Sequence, residues 1–297
     1  MLSFEITCDD HCRRLESYLR TLMPASPLGY ARKLIKSGAT RLNGNPSTPD
    51  TLLSRHDTVT LKESAATIAQ LSDARPALDI LYEDGLILIA NKPPSLPMHR
   101  TAESENNLVD AGQVYMTERN TPCKLYPVNR LDRGTSGAVI LAKSSSSAAI
   151  YGRQVKETGL DKLYLALVWG IPESSGVINE TLDGKESETR YRILLAGNNC
   201  SLLAVTPISG RMHQIRRHLA STGHPVMADK RYGGGDMPEL SGFALHSFRT
   251  TLHLAESGYL TVCAPVLHEM LNLCEQRGIG RDTLLESVHQ LAHMEAS

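Results

Sequence analysis

Five short apolar runs, at residues 86–90, 139–142, 164–168, 191–195 and 202–205, constrain this chain more than any other feature. None is long enough for an amphipathic helix, and turn formers such as Asn91-Lys92-Pro93-Pro94 bound them, so they read as buried strands. Helical patterns lie at 107–117, 146–157 and 213–222, with two more at 265–275 and 281–294. Strands and helices do not alternate regularly, which predicts an α+β domain on a mixed, mainly antiparallel sheet.

A different texture precedes this domain. Arg14, Leu15, Tyr18, Leu19 and Leu22 recur at helical spacing until Pro24 and Pro27 end the run. Tyr30 to Lys36 sets Ala31, Leu34 and Ile35 on one side and Arg32, Lys33 and Lys36 on the other, and Gly38 stops it. Residues 40–42, the Asn43-Gly44 turn and a strand-like run at 57–61 follow. Residues 64–76, rich in Ala, Ser and Asp and ending at Pro76, read as a linker. The predicted organisation is a small module over 1–63, a linker over 64–76 and a large domain over 77–297, which suits 297 residues.

The net charge of −1 is a weak footprint for a nucleic-acid binder, but it is uneven. Residues 1–63 hold nine Lys/Arg against seven Asp/Glu, so the front nets about +2 and the remainder about −3. No stretch has the roughly 20 apolar residues of a membrane span, and the first residues lack the plan of a signal peptide, so a cytoplasmic protein is expected. The six cysteines form no C-x-x-C pair. Cys8, His11 and Cys12 lack the second ligand pair of a zinc site, so no metal is expected.

Three segments concentrate charge and turn formers beside apolar strands. Asn129-Arg130-Leu131-Asp132-Arg133-Gly134-Thr135-Ser136-Gly137 puts Asp132 in a loop just before a strand, where catalytic groups tend to sit; a turn-capping aspartate is the plain alternative. Gly210-Arg211-Met212-His213-Gln214-Ile215-Arg216-Arg217-His218-Leu219 opens a helix whose arginines can grip a carboxylate, or simply form a solvated face. Lys162-Leu163-Tyr164-Leu165-Ala166 starts a strand with one tyrosine, ordinarily a packing residue. Gly134 to Gly137 has a superficial likeness to a serine nucleophile turn, but Ala138 stands where that pattern needs glycine.

The first segment resembles the H-R-L-D-x-x-T-S-G signature of the RluA-type pseudouridine synthases, and the second their G-R-T-H-Q-I-R-x-H-L. His224 to Asp229, Tyr232-Gly233, Ile80 to Asp84 with Asn91-Lys92-Pro93, and Lys162-x-Tyr164-x-Ala166 match further family motifs in the right order, over roughly residues 77–265. The front module resembles the alpha-L RNA-binding module first named from a small-subunit ribosomal protein. The resemblance implies an isomerase that turns uridine into pseudouridine within RNA, and no cofactor. Asp132 would be the catalytic carboxylate, kept ionised by Arg216. Whether it attacks the ribose, attacks the uracil or removes a ribose proton stays open.

Tyr164 would stack on the everted base, Arg130 fill the gap it leaves, and Leu219 wall the pocket. Arg32, Lys33, Lys36 and Arg41 would meet RNA. Ribosomal RNA is favoured over transfer RNA, with the protein a monomer. A non-catalytic RNA-binding or ribosome-assembly protein is the alternative. Departures from the family pattern are Asn129 for histidine, Met212 for threonine, Arg217 for an apolar residue, Ala228 for glycine, and Pro27-Leu28-Gly29 for Ser-Arg-Ser.

Overall fold

The computed structural model describes residues 1–24, 26–71, 78–99, 106–157, 160–254 and 258–294. The front of the chain builds its own small core. Strand β1 (Leu2–Glu5) is followed by helices α1 (Leu15–Leu22) and α2 (Tyr30–Lys36) and strands β2 (Thr40–Leu42) and β3 (Thr58–Leu61). Strand β3 lies between β1 and β2, antiparallel to both. Leu15, Tyr18, Leu19, Ala31 and Ile35 pack with Val59 and Leu61. Strand β1 is absent from the sequence reading because its support is remote: Leu2 pairs with Leu61. In the segment read as a linker, Ser64 caps a single-turn helix α3 (Ala65–Ile68) by accepting the Thr67 N–H at 3.1 Å. Residues 72–76 of that segment lie outside the described residues.

The large sheet opens with β4 (Ile80–Glu83) and β5 (Ile87–Lys92), then helix α4 (Leu108–Glu118) and the short β6 (Tyr126–Pro127). Next come β7 (Ser136–Ala142), helix α5 (Ser145–Glu157), β8 (Asp161–Trp169), β9 (Ser175–Asn179), β10 (Glu188–Gly197) and β11 (Cys200–Pro207). Helix α6 (Gln214–Ser221), β12 (Leu245–Leu254), β13 (Gly258–Cys263) and helices α7 (His268–Gln276) and α8 (Arg281–His293) complete it. The order is β4-β5-β7-β12-β8-β11-β10-β9, with β13 on β12 and β6 on β7. Among the described strands only β7 and β12 pair in parallel, so the sheet is mixed and mainly antiparallel. One face carries Leu88, Val139, Leu165 and Leu202, and the other Ile87, Ile140, Leu252 and Val262. Burial on both faces explains the unbroken apolar runs of β5, β7 and β8.

Strands β9, β12 and β13 carry no continuous apolar run that would mark them in the sequence. In β12, His246, Ser247 and Arg249 interrupt the apolar pattern, yet all three are buried and bonded. Arg249 donates to the carbonyls of Leu291 and Met294 at 2.9 and 2.6 Å, fixing α8 against the sheet.

The front module docks on the sheet through buried charge. Arg13 grips Asp79 with two hydrogen bonds of 2.7 and 2.8 Å and faces Asp10 at 2.9 Å. Buried Glu83 on β4 takes Arg20 at 2.9 Å, Lys143 at 2.7 Å and the Tyr115 hydroxyl at 3.0 Å. Burial opposes its ionisation, but Lys143, Arg20 and Tyr115 outweigh that and hold its carboxyl below the usual range. Arg32, expected at RNA, is turned into this seam: it donates to buried Glu16 at 2.8 Å and lies over the Tyr82 ring. The physical reason is that Glu16 would otherwise sit inside the seam with less compensation.

Candidate active site

The loop before β7 is held from three sides. Asn129, at the family's histidine position, accepts the Ile140 N–H at 2.8 Å through its side-chain oxygen. The Thr135 N–H closes a turn on the Asp132 carbonyl at 3.1 Å. Gly137 has φ +108, and a Cβ there would lie 2.3 Å from the Ser247 carbonyl oxygen, so only glycine lets β7 approach β12. From below, the buried Lys92 amine donates to the carbonyls of Pro93, Leu96 and Arg133 at 2.9–3.0 Å. Burial pushes its pKa down to about 7, although the Asp132 charge pulls the other way. What marks Lys92 is burial of an amine among carbonyls, which spacing along the chain does not reveal.

Helix α6 is anchored by its first residue. The Gln214 side chain accepts from Ser209 Oγ and the Arg211 N–H, and donates to Glu188 O and Thr189 Oγ1, at 2.8–3.1 Å. His218 bonds Ser187 Oγ and Thr189 Oγ1 from the same side. These bonds tie α6 to β10 and aim Arg216 at the β7 loop.

Arg216 Nη1 meets Asp132 Oδ2 at 2.7 Å, while Nε and Nη2 grip Asp229 at 2.6 and 2.9 Å. The Phe243 ring lies 4.0 Å from the guanidinium carbon and Tyr232 5.0 Å from it. Burial works against the arginine's charge, but bonds to the two carboxylates overcome it and raise its pKa. Asp229 is fully buried, whereas the Asp132 side chain keeps 28 % of its surface open. Asp229 fixes the arginine, and the arginine presents Asp132. The sequence held Asp229 within a family motif but suggested no task for it.

His213 precedes α6 in a left-handed conformation, φ 54 and ψ 27. Its Nδ1 bonds the Tyr232 hydroxyl at 2.9 Å, and its Nε2 stands 3.9 Å from Asp132 Oδ1. Burial lowers its pKa, against the pull of Asp132, so the ring is neutral at pH 7.

Asp132, Arg130, Leu131, Arg211, His213 and Arg216 line both an outer chamber of about 1170 Å³ and an adjoining inner pocket of about 430 Å³. Tyr164, Lys162 and Leu245 line the inner pocket alone. Tyr164 is 7 % exposed. Burial pushes its pKa up to about 12, and the charge of Asp132 adds to this. At neutral pH its hydroxyl is a donor rather than a base. Arg130 lies exposed at the mouth. Leu219, expected as a pocket wall, sits one turn behind Ile215, buried in the core and off the lining. The 3.6-residue helical period puts Ile215 on the same face but nearer the cleft, so Leu131, Ile215 and Leu245 form the apolar wall.

Elsewhere, Lys33, Lys36 and Arg41 are exposed on the front module, and Arg41 donates to Gly44 O at 3.1 Å. Ser136 Oγ does meet His246 Nδ1 at 2.9 Å, but both are buried off the cleft. The far histidine nitrogen faces the Ala264 carbonyl and burial holds its pKa near 4, so this is no serine nucleophile. His11, Cys12 and His289 cluster beneath the module, and both His11 nitrogens are engaged, with the Arg55 N–H and Leu285 O.

Comparison with known proteins agrees with this geometry. The family described as RNA pseudouridylate synthase matches residues 86–221. The chain is 30 % identical over 253 residues to "Ribosomal large subunit pseudouridine synthase C" of Escherichia coli, covering 77 % of this chain and 78 % of that protein. It is 29 % identical to the protein of that name from Yersinia pestis, covering 84 % and 85 %. Among solved structures, "Human RNA Pseudouridylate Synthase Domain Containing 1" aligns with TM-score 0.52 at 26 % identity, over 66 % of this chain and 86 % of that one. "Human RNA Pseudouridylate Synthase Domain Containing 4" aligns with TM-score 0.56 at 21 % identity over 66 % and 92 %, a likeness of fold. The chain belongs to the RluA-type pseudouridine synthases and is an RNA pseudouridine synthase, an isomerase.

Proposed function

We propose that Asp132 is the carboxylate that converts the target uridine, that Arg216 holds it, and that Tyr164 packs against the everted base. The supporting observation is the asymmetry of the Asp132 side chain. One oxygen is bound by Arg216, while the side chain stays open to a pocket large enough for a nucleotide. Isomerisation breaks the bond from ribose carbon one to the ring nitrogen and makes one to carbon five. The proton at carbon five leaves, and the ring nitrogen gains one. Nothing is oxidised or hydrolysed, so a placed carboxylate in a pocket that takes one nucleotide supplies the chemistry. Turning the base out costs a few kcal/mol, which stacking on Tyr164 and insertion of Arg130 into the gap offset.

The substrate in this reading is large-subunit ribosomal RNA, the target that the names of the bacterial relatives carry. The front module acts as an alpha-L RNA-binding domain through exposed Lys33, Lys36 and Arg41, and the enzyme works as a cytoplasmic monomer. No helix among the described residues is long and apolar enough to cross a membrane. The test is tritium release from large ribosomal RNA transcribed without modification and labelled at carbon five of uracil. The wild type releases tritium and Asp132→Asn loses at least about a thousandfold in rate while still binding the RNA. Release by neither protein on this RNA rejects the substrate, and equal release by both rejects Asp132. Mapping pseudouridines in cells with and without the gene then names the position.

A further inference from the structure

Lys162 is a lysine without an anion. It lies two residues before Tyr164 on β8, so both side chains leave the same face of the sheet, and both line the inner pocket. Pro127, Val128, Val155 and Leu160 line the same pocket. Among the described residues no hydrogen-bond acceptor or carboxylate partners its amine, and burial, with nothing to oppose it, pushes its pKa down to about 8. Cations that are buried outright are answered within the chain, as Lys92 is by three carbonyls, Arg13 by Asp79 and Asp10, and Arg216 by Asp132 and Asp229, whereas Lys162 is half-buried and has no such partner among the described residues. The inner pocket also carries Arg130 and Arg211, while the one charge of Arg216 is shared between Asp132 and Asp229, so cations still outnumber carboxylates there. Carbonyls can satisfy a buried ammonium, as they do for Lys92, but the chain offers none to Lys162; of the groups an RNA substrate brings, the backbone phosphate is the one that also supplies the opposite charge.

We propose that Lys162 is the subsite for a backbone phosphate next to the everted uridine, so that the RNA brings the negative charge the pocket lacks. This rests on the reading of Asp132, Tyr164 and Arg216 as the catalytic pocket. Lys162 then works as a substrate-binding cation, not as the group that handles protons at the base. The amine is charged in the bound state and partly neutral in the free enzyme above pH 8, so RNA affinity falls from pH 7 to pH 9.5.

The test uses the full-length enzyme in excess over the same tritiated large ribosomal RNA transcript, under single-turnover conditions, across a range of enzyme and salt concentrations. For Lys162→Met the half-saturating concentration rises about tenfold at 0.1 M salt, with the plateau rate within about twofold of wild type. The dependence of log half-saturation on log salt becomes shallower by about 0.7 to 1, as expected for one lost phosphate contact. Lys162→Arg keeps the charge and recovers most of the affinity. Thermal melting verifies folding, and Lys162→Gln replaces the methionine variant if that one melts early. Unchanged half-saturation and salt slope overturn the proposal, and so does a collapsed plateau rate at unchanged half-saturation. Asp132→Asn runs alongside. A full plateau rate there defeats the catalytic reading itself, whereas a dead Asp132→Asn beside a normal Lys162→Met defeats only the phosphate subsite.

Discussion

Glu83 and Asp132 are both carboxylates held by cations beside the same sheet, and the protein treats them differently. Glu83, at the seam between the front module and β4, is buried with both oxygens engaged, by Lys143 on one side and by Arg20 and Tyr115 on the other. Asp132 has one oxygen bonded and over a quarter of its side chain open. A closed network fixes two parts of the chain together. An open one leaves a charged face for something else to meet. Lys162 is the cationic counterpart of Asp132, a group left incomplete inside the pocket. The contrast separates charges that assemble the fold from charges that wait for RNA.

The sharpest way to break this contrast is at Arg216, which belongs to both kinds. Arg216→Met leaves Asp229 fully buried without its fork and frees Asp132. The expected result is loss of tritium release together with a fall of about 3–5 kcal/mol in unfolding free energy, read from denaturant melts. Asp132→Asn, in contrast, should lose the activity and keep the stability. An Arg216→Met protein of normal stability would show that the fork to Asp229 contributes little to the fold.

At the seam the expected order reverses. Glu83→Gln should cost about 3 kcal/mol, because Lys143 and Arg20 lose their buried counter-charge, while the plateau rate of the folded fraction stays within about twofold. The pH dependence carries the same sign. Since the folded state holds the Glu83 carboxyl below its ordinary 4.5, its contribution is complete above that pH and disappears as the pH falls through the lowered value. Wild type and Glu83→Gln should therefore converge in stability towards acid pH, and parallel curves would remove Glu83 from the seam's account.

A smaller effect is expected at Ala228, which stands where the family pattern has glycine and adopts φ +65. An L-residue there is strained, by about 1–2 kcal/mol, against the extra unfolded-state freedom that glycine brings. Ala228→Gly should raise stability by up to about 1 kcal/mol in a thermal melt. A lowered melting temperature would mean that the alanine methyl packs well enough to outweigh its backbone.

What the sequence made legible follows from the range of the forces involved. Strands β5, β7 and β8 were readable because burial on both faces leaves continuous apolar runs. Strand β12 was not, since His246, Ser247 and Arg249 are stabilised there by partners far along the chain, Ala264, Ala138 and Leu291. Asp132, Tyr164 and Arg216 were legible through motif resemblance, and the structure brings all three to one pocket. Asp229, Lys92 and Phe243 gain their roles only from three-dimensional approach. Leu219 lies one helical turn behind Ile215 and off the pocket lining, because an apolar face of α6 is readable from spacing while the depth to which the pocket reaches along it is not.

Arg32 gives the finest test of the division between assembling and waiting charges. As part of a basic helix face it reads as an RNA contact, together with Lys33 and Lys36. In the folded protein its Nε lies 2.8 Å from buried Glu16, and its guanidinium covers Tyr82 of the catalytic sheet, although its side chain remains 40 % exposed. A half-exposed pair of this kind contributes little, so Arg32→Ala should lower stability by no more than about 1 kcal/mol. Its half-saturation by RNA and its salt slope should match wild type, because the charge already has a partner within the chain. Lys33 and Lys36 are exposed, and replacing both with alanine should leave melting unchanged and make the salt slope shallower by one to two phosphate contacts, about 0.7 to 1.8. If Arg32→Ala flattens the slope as much as the lysine pair does, the arginine belongs to the RNA face, and the seam rests without it on pairs such as those of Arg13 and Arg20.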